Sequence, residues 1–276
     1  LSGLILWFSE PLAYPFMQRG LAAAMIVGVI CPVLGAYVVL RGMAFFGDAL
    51  AHIILPGVVI AFLLGWPLIS GALIVGVIAA VAVGAISRRS NIREDTAIGV
   101  IFAGCFALGI ALLSIRRGYA VDLTHILFGN LLGVSVQDLI LIAVLGGLSL
   151  LAIFAFYKEF LVLSFDPLLA MTLRLPVTRL QNLMLILLAV VIVASLQAVG
   201  VALVLAMLIT PAASAYLLTR RLPYMMLVGA ALGAVSALVG LLVSYHTNLP
   251  SGPAIVLTAT ALFFVTLAFR QRPLRS

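Results

Sequence analysis

Asp48 is the only acidic residue of the chain that falls within or at the mouth of an apolar span, and His52 follows it four residues later. The run reads Phe46-Gly47-Asp48-Ala49-Leu50-Ala51-His52, then Leu55-Pro56-Gly57. On a helix, residues four apart share a face, so both side chains point the same way. A carboxylate is costly inside hydrocarbon, and such residues face a bundle interior or a polar pathway. Carboxylate plus imidazole suits Mn(II), Fe(II) or Zn(II) better than Cu(I), which prefers thiolate and thioether. Two ligands leave a shell incomplete, since structural zinc takes four. A symmetric dimer would bring two such pairs together, with water supplying the rest. A weak site of this kind suits transport, where an ion must leave as readily as it enters. Two other uses stay open on the residues alone. One is a proton relay of the secondary-transporter type. The other is a brace between helices, or a helix cap made by Asp48.

Two further features could serve the same pathway, and a third could meet a partner. Pro56-Gly57 breaks or kinks a helix just past the pair, and non-helical backbone at membrane depth is tolerated where it lines a cavity. Gln197, in Ser195-Leu196-Gln197-Ala198-Val199-Gly200, either lines the pathway or caps a helix near the outer face. The loop 157–180 carries Asp166-Pro167, a good helix start because Asp caps and Pro suits the first helical position. The sequence predicts a short helix there of about two turns, ended by Pro176. Such a helix is suited to docking on a partner or to lying on lipid headgroups.

The elements that must position these residues follow from composition. Of 276 residues, 65% are hydrophobic and 8% are charged. Soluble domains carry about a quarter charged residues, so a soluble enzyme and a disordered chain are both excluded. The net charge of +7 reads as loop anchoring at a membrane rather than as nucleic-acid binding. A spanning helix needs roughly 20 apolar residues. This predicts an all-α polytopic membrane protein in one domain, 1–276, with nine crossings at about 16–40, 47–65, 68–86, 96–114, 137–156, 181–197, 199–219, 224–244 and 253–269. Merging 181–197 with 199–219 would give eight. Nine crossings put twelve Lys and Arg on one side and three (Arg19, Arg116 and Arg117) on the other. The richer side is expected to be cytoplasmic, with the C-terminal tail 270–276 inside and residues 1–15 an interfacial lead-in outside. An apolar piece, 126–134, is too short to span and is expected to be re-entrant or to lie on the surface.

Several chemistries are missing from the sequence. Lys158 is the only lysine, so no phosphate-binding P-loop exists. ATP hydrolysis, if it drives this protein, belongs to another chain. Cys31 and Cys105 lie apart in apolar runs and form no disulfide or metal framework. Neither a Ser–His–Asp set nor an HExxH motif is present.

The ordered motifs resemble the membrane permeases of bacterial ABC importers of divalent metals, which serve zinc, manganese and iron. The resemblance rests on Phe46–His52 with Leu55-Pro56-Gly57, Ser164-Phe165-Asp166-Pro167, Ser195–Gly200 through Ala206-Met207-Leu208-Ile209-Thr210-Pro211-Ala212-Ala213, and Pro250-Ser251-Gly252-Pro253. It covers about residues 16–269. It implies an all-helical permease related to the vitamin B12 and siderophore importers, not an enzyme, in the bacterial plasma membrane. It implies a second permease protomer, two cytoplasmic ATPase subunits docking on a coupling helix at about Asp166–Leu175, and an extracytoplasmic metal-binding protein. Asp48 and His52 then stand in the ion pathway, with Pro56, Gly57 and Gln197 as candidate lining. Asp166, Pro167, Ala170 and Arg174 fall on the coupling helix, where Arg174 replaces the small residue or glycine of many relatives. No cofactor is held permanently, and the metal is cargo. The wording of the Ser195–Gly200 and Ala206–Ala213 blocks resembles the manganese and iron branch more than the zinc branch. The expectation is a manganese importer permease, zinc or iron next, against two alternatives: a proton-coupled secondary transporter and a vitamin B12 or siderophore permease.

Overall fold

A computed structural model describes residues 10–11, 13–90, 92–114 and 131–269. Twelve α-helices are described: α1 (Pro15–Arg41), α2 (Phe45–Ile53), α3 (Leu55–Leu63), α4 (Leu68–Ser90), α5 (Glu94–Ser114), α6 (Val136–Ala155), α7 (Tyr157–Phe165), α8 (Pro167–Thr172), α9 (Val177–Val199), α10 (Val201–Leu218), α11 (Leu222–Thr247) and α12 (Ser251–Ala268). Among the described residues, nine helical stretches are long and apolar enough to cross a membrane, α2 and α3 together forming one of them. Helices are the outcome because hydrocarbon offers no partner to backbone N–H and C=O groups, and a helix satisfies them internally. The lead-in 1–9, most of the 126–134 piece and the tail 270–276 lie outside the described residues.

The pair 181–197 and 199–219 resolves into α9 and α10, joined through one residue. Gly200 takes φ 83° and ψ 165° there, a conformation open to glycine and closed to residues with a Cβ. The crossings therefore number nine among the described residues, as the charge pattern requires.

Helix ends sort into two groups. Arg41 at the end of α1 donates to Glu94 at the start of α5, Nη2 to Oε1 at 2.6 Å. Arg88, near the end of α4, donates to Gln181 near the start of α9 at 3.5 Å. Leu40, Phe165, Arg220, Arg221 and Phe269 line one cavity of about 730 Å³. These contacts gather the arginine-rich loops at one end of the bundle. At the other end, Gln197 reaches Asp138, and Gly20 packs beside the Leu131 carbonyl, where an added Cβ would lie 3.1 Å from its oxygen.

α1 is the central post, packed on α6, α10 and α11. Its closest approach is to α11, where Gly28 and Gly233 bring the two backbones into direct contact. Small residues allow this, and close van der Waals packing is what joins helices when lipid is as apolar as the side chains.

At α8 the structure shortens the expected helix. Asp166 is the N-cap, its Oδ1 accepting from the backbone N–H groups of Leu168 and Leu169 at 3.0 Å each. The helix stops at Thr172, four residues before Pro176. Arg174 adopts φ 56°, its N–H donates to Met171 O at 2.9 Å, and Leu175 N–H donates to Ala170 O at 3.1 Å. This is a Schellman ending, so a left-handed residue, not the proline, terminates α8.

Candidate metal-pathway site

α2 is a nine-residue helix, Phe45 to Ile53. Phe46, Gly47, Ala49, Leu50, Ala51 and Ile53 are buried, whereas Phe45, Asp48 and His52 are not. Those three lie three and four residues apart on one face, which stays partly open and borders α5 through Phe45 and His52, while α2 also packs on α9 and α10. Gly47 lets α10 close on the buried side, since an added Cβ would lie 2.7 Å from Leu205 Cδ2. Asp48 sits in the first turn and His52 in the last. An acid at the start and an imidazole at the end both suit the helix dipole.

Among the described residues, neither the Asp48 carboxylate nor the His52 imidazole has a hydrogen-bond or ion-pair partner. Nor do the two side chains pair with each other. Two donors with free lone pairs therefore share one partly open face. Among the described residues no third His, Cys, Asp or Glu joins them to make a metal-holding group. One chain offers half a ligand shell.

Pro56 follows the pair and explains the end of α2. It has no N–H to give to the carbonyl of His52, so the regular ladder lapses and α3 starts afresh at Leu55. Ile54 N–H still reaches Leu50 O at 3.2 Å, which keeps the two helices nearly continuous. Gly57 is buried against Gly71 of α4, with the backbones touching. Its contacts are those of helix packing, and they anchor the far side of the break.

Gln197 lies near the other end of the bundle. It is exposed, and its Nε2 donates to Asp138 Oδ1 at 3.2 Å. Both line an apolar cavity of about 310 Å³ with Ile54, Val58, Leu68 and Val193. Asp138 also closes a capping box, accepting from Ser135 N–H at 3.1 Å and from Ser135 Oγ at 2.6 Å. Sequence reasoning missed Asp138 as the partner of Gln197, because 59 residues separate them and no spacing rule spans that gap.

It also missed two phenylalanines. Phe102 and Phe106 of α5 stand beside His52, with ring centroids 5.7 and 5.4 Å from the imidazole. A phenylalanine in an apolar span carries no signal of its own, so nothing in the sequence could have singled them out.

Of the residues expected on a coupling helix, Asp166 is the cap and Ala170 is buried. Pro167 is the first residue of α8, and Arg174 takes the left-handed turn. Several large apolar side chains are exposed, Leu168 at 72%, Met171 at 58% and Leu173 at 56%, beside the exposed Asp166, Thr172 and Arg174.

Residues 13–270 match the ABC 3 transport family. The chain belongs to that family. It is 47% identical over 272 residues to the manganese transport system membrane protein MntC of Halalkalibacterium halodurans, covering 99% of this chain and 93% of that one. It is 44% identical over 263 residues to the chelated iron transport system membrane protein YfeD of Yersinia pestis, covering 95% and 88%. Among solved structures, PsaBC from Streptococcus pneumoniae in complex with Fab superposes with a TM-score of 0.82 at 38% identity, covering 96% of this chain and 95% of that one. The chain is thus a polytopic membrane transport protein of the ABC class, as its motifs and composition suggest.

Proposed function

We propose that this chain is the permease subunit of an ATP-driven importer of divalent metal ions, with manganese the favoured cargo and zinc or iron next. The carrying observation is the partly open face of α2, where Asp48 and His52 stand one turn apart and, among the described residues, neither has a hydrogen-bond or ion-pair partner. Paired donors left unsatisfied beside hydrocarbon are costly unless something fills the site in use. Carboxylate and imidazole fit Mn(II), Fe(II) and Zn(II) alike, and relatives named for manganese transport tip the choice. Membership of an ABC family favours ATP drive over the proton-coupled alternative.

In this reading a second copy of the chain brings its own Asp48 and His52 to the ion, and water completes the shell. The site is a passing station, weak because it is shared and part-hydrated. The arginine-rich end is cytoplasmic, which places the C-terminus inside the bacterial plasma membrane. There α8 presents Leu168, Met171 and Leu173 to an ATPase subunit. ATP binding in two such subunits rocks the protomers between outward and inward openings, and an extracytoplasmic metal-binding protein delivers the ion.

The test is ATP-dependent Mn(II) uptake in proteoliposomes holding the permease, its ATPase and its delivery protein. Asp48→Asn keeps shape and removes charge. We expect uptake to fall at least about 10-fold, the order expected when a metal site is disturbed, while ATPase assembly survives. Undiminished uptake sinks the pathway role. Zn(II) transport with no Mn(II) transport in the wild type overturns the choice of cargo.

A further inference from the structure

A histidine that binds a metal ordinarily has its second ring nitrogen held by a carboxylate, a carbonyl or water, which fixes ring orientation and raises basicity. Among the described residues, neither His52 nitrogen has such a partner. Two phenyl rings stand there instead. Phe102 and Phe106, one turn apart on α5, lie parallel to within 10° at 5.8 Å. The imidazole meets both at steep angles, 70° to Phe102 and 76° to Phe106. Phe45, three residues before Asp48, closes the group against Phe102 at 5.9 Å.

α5 is held beside α2 by contacts with the two helices that flank it in sequence, α1 and α3. At its foot, Glu94 takes the Arg41 guanidinium. Higher up, Gly109 lies so close to α3 that an added Cβ would sit 2.7 Å from Leu55 Cγ. Phe102, Phe106 and Gly109 are spaced four and three apart, so they form the α5 face turned to the break and to His52.

We infer that Phe102 and Phe106 are positioning residues for metal passage: they hold the His52 imidazole on the face it shares with Asp48, and they wall the α5 side of the cation from water. The inference rests on the reading of Asp48 and His52 as the ion station. Edge-to-face ring contacts are favourable beyond simple burial, so they restrict the imidazole rotamers. They supply no acceptor to either ring nitrogen. A ligand held in place only by ring contacts, with no hydrogen bond to anchor it, releases its ion readily, as a transport site must. The wall also leaves the open side of α2 as the one from which further ligands arrive.

The test uses the permease–ATPase complex with Co(II) as the probe, whose visible absorption reports imidazole coordination. The variants are the double Phe102→Leu/Phe106→Leu, the ring-keeping Phe106→Tyr, and His52→Ala. We expect the Co(II) dissociation constant of the double variant to rise about 10-fold, the order expected when an orienting partner is lost. Its absorption band should weaken toward that of His52→Ala, and Mn(II) uptake should fall while the complex stays assembled. Phe106→Tyr should keep the wild-type constant and band. A double variant with wild-type Co(II) binding, beside a His52→Ala that has lost it, overturns the positioning role and leaves the ion station standing. Wild-type Co(II) binding and Mn(II) uptake in His52→Ala overturn the station and this inference together.

Discussion

Where α1 crosses α11, Gly28 and Gly233 let the backbones touch. Where α2 meets α5, large rings fill the gap around His52, which among the described residues has no hydrogen-bond partner. The burial follows suit: 72% of the apolar window of α1 is buried within the chain, against 17% for α5. The first region spends its sequence on contact area, which is all that holds helices together in lipid. The second gives up contact area to keep donors available. If Asp48 and His52 are the ion station proposed above, both regions are needed, because a station that binds and releases an ion works only on a frame that keeps its shape.

That contrast can be broken from either side. The largest effect is expected at the frame. Gly233→Leu would drive a side chain into the Gly28 carbonyl, and overpacking of this kind costs about 3 kcal/mol or more. Purified yield and the cooperative unfolding transition should both be lost, and uptake with them. Asp48→Asn should do the reverse, stopping uptake while yield and Tm stay near wild type. If both variants misfold, the division between frame and station is wrong.

At the arginine-rich end, Leu168→Asp places a charge at the most exposed apolar position of α8. An apolar anchor at an interface is worth about 2 kcal/mol, so ATPase copurification should weaken about 30-fold with folding intact. Retained copurification would move the docking surface elsewhere. The smallest effect is at Arg174. A residue with a Cβ in the left-handed region is strained by about 1 kcal/mol. Arg174→Gly removes that strain but adds unfolded-state freedom of about 0.5 kcal/mol or more, so a gain of at most about 0.5 kcal/mol is expected, seen as a Tm rise of about 1–2 °C. Arg174→Ala keeps the Cβ and should show no gain.

Much of this was legible in the residues because hydrocarbon enforces simple rules. Long apolar runs must be helices, and their ends fell within a few residues of those expected. The choice of nine crossings over eight came from charge alone, and Gly200 is the residue that makes the turn possible. Asp48 and His52 stood out because a polar pair at helical spacing in such a run demands a reason. The end of α8 was misplaced because Pro176 gave a strong stop signal, while the left-handed turn at Arg174 is carried by a residue type that gives none.

The sequence by itself determined the class, the spans, the charged end and the two donors, since each depends on residue type and local spacing in a medium that punishes exposed polarity. Only the tertiary structure decided which face of α2 stays partly open, that neither donor has a hydrogen-bond partner among the described residues, that Gly57 is occupied in packing on Gly71, and that Phe102 and Phe106 stand over His52. Those facts depend on how helices distant in sequence meet. When nearly every position is apolar, the pattern along the chain does not say which apolar residue meets which, and shape complementarity makes that choice.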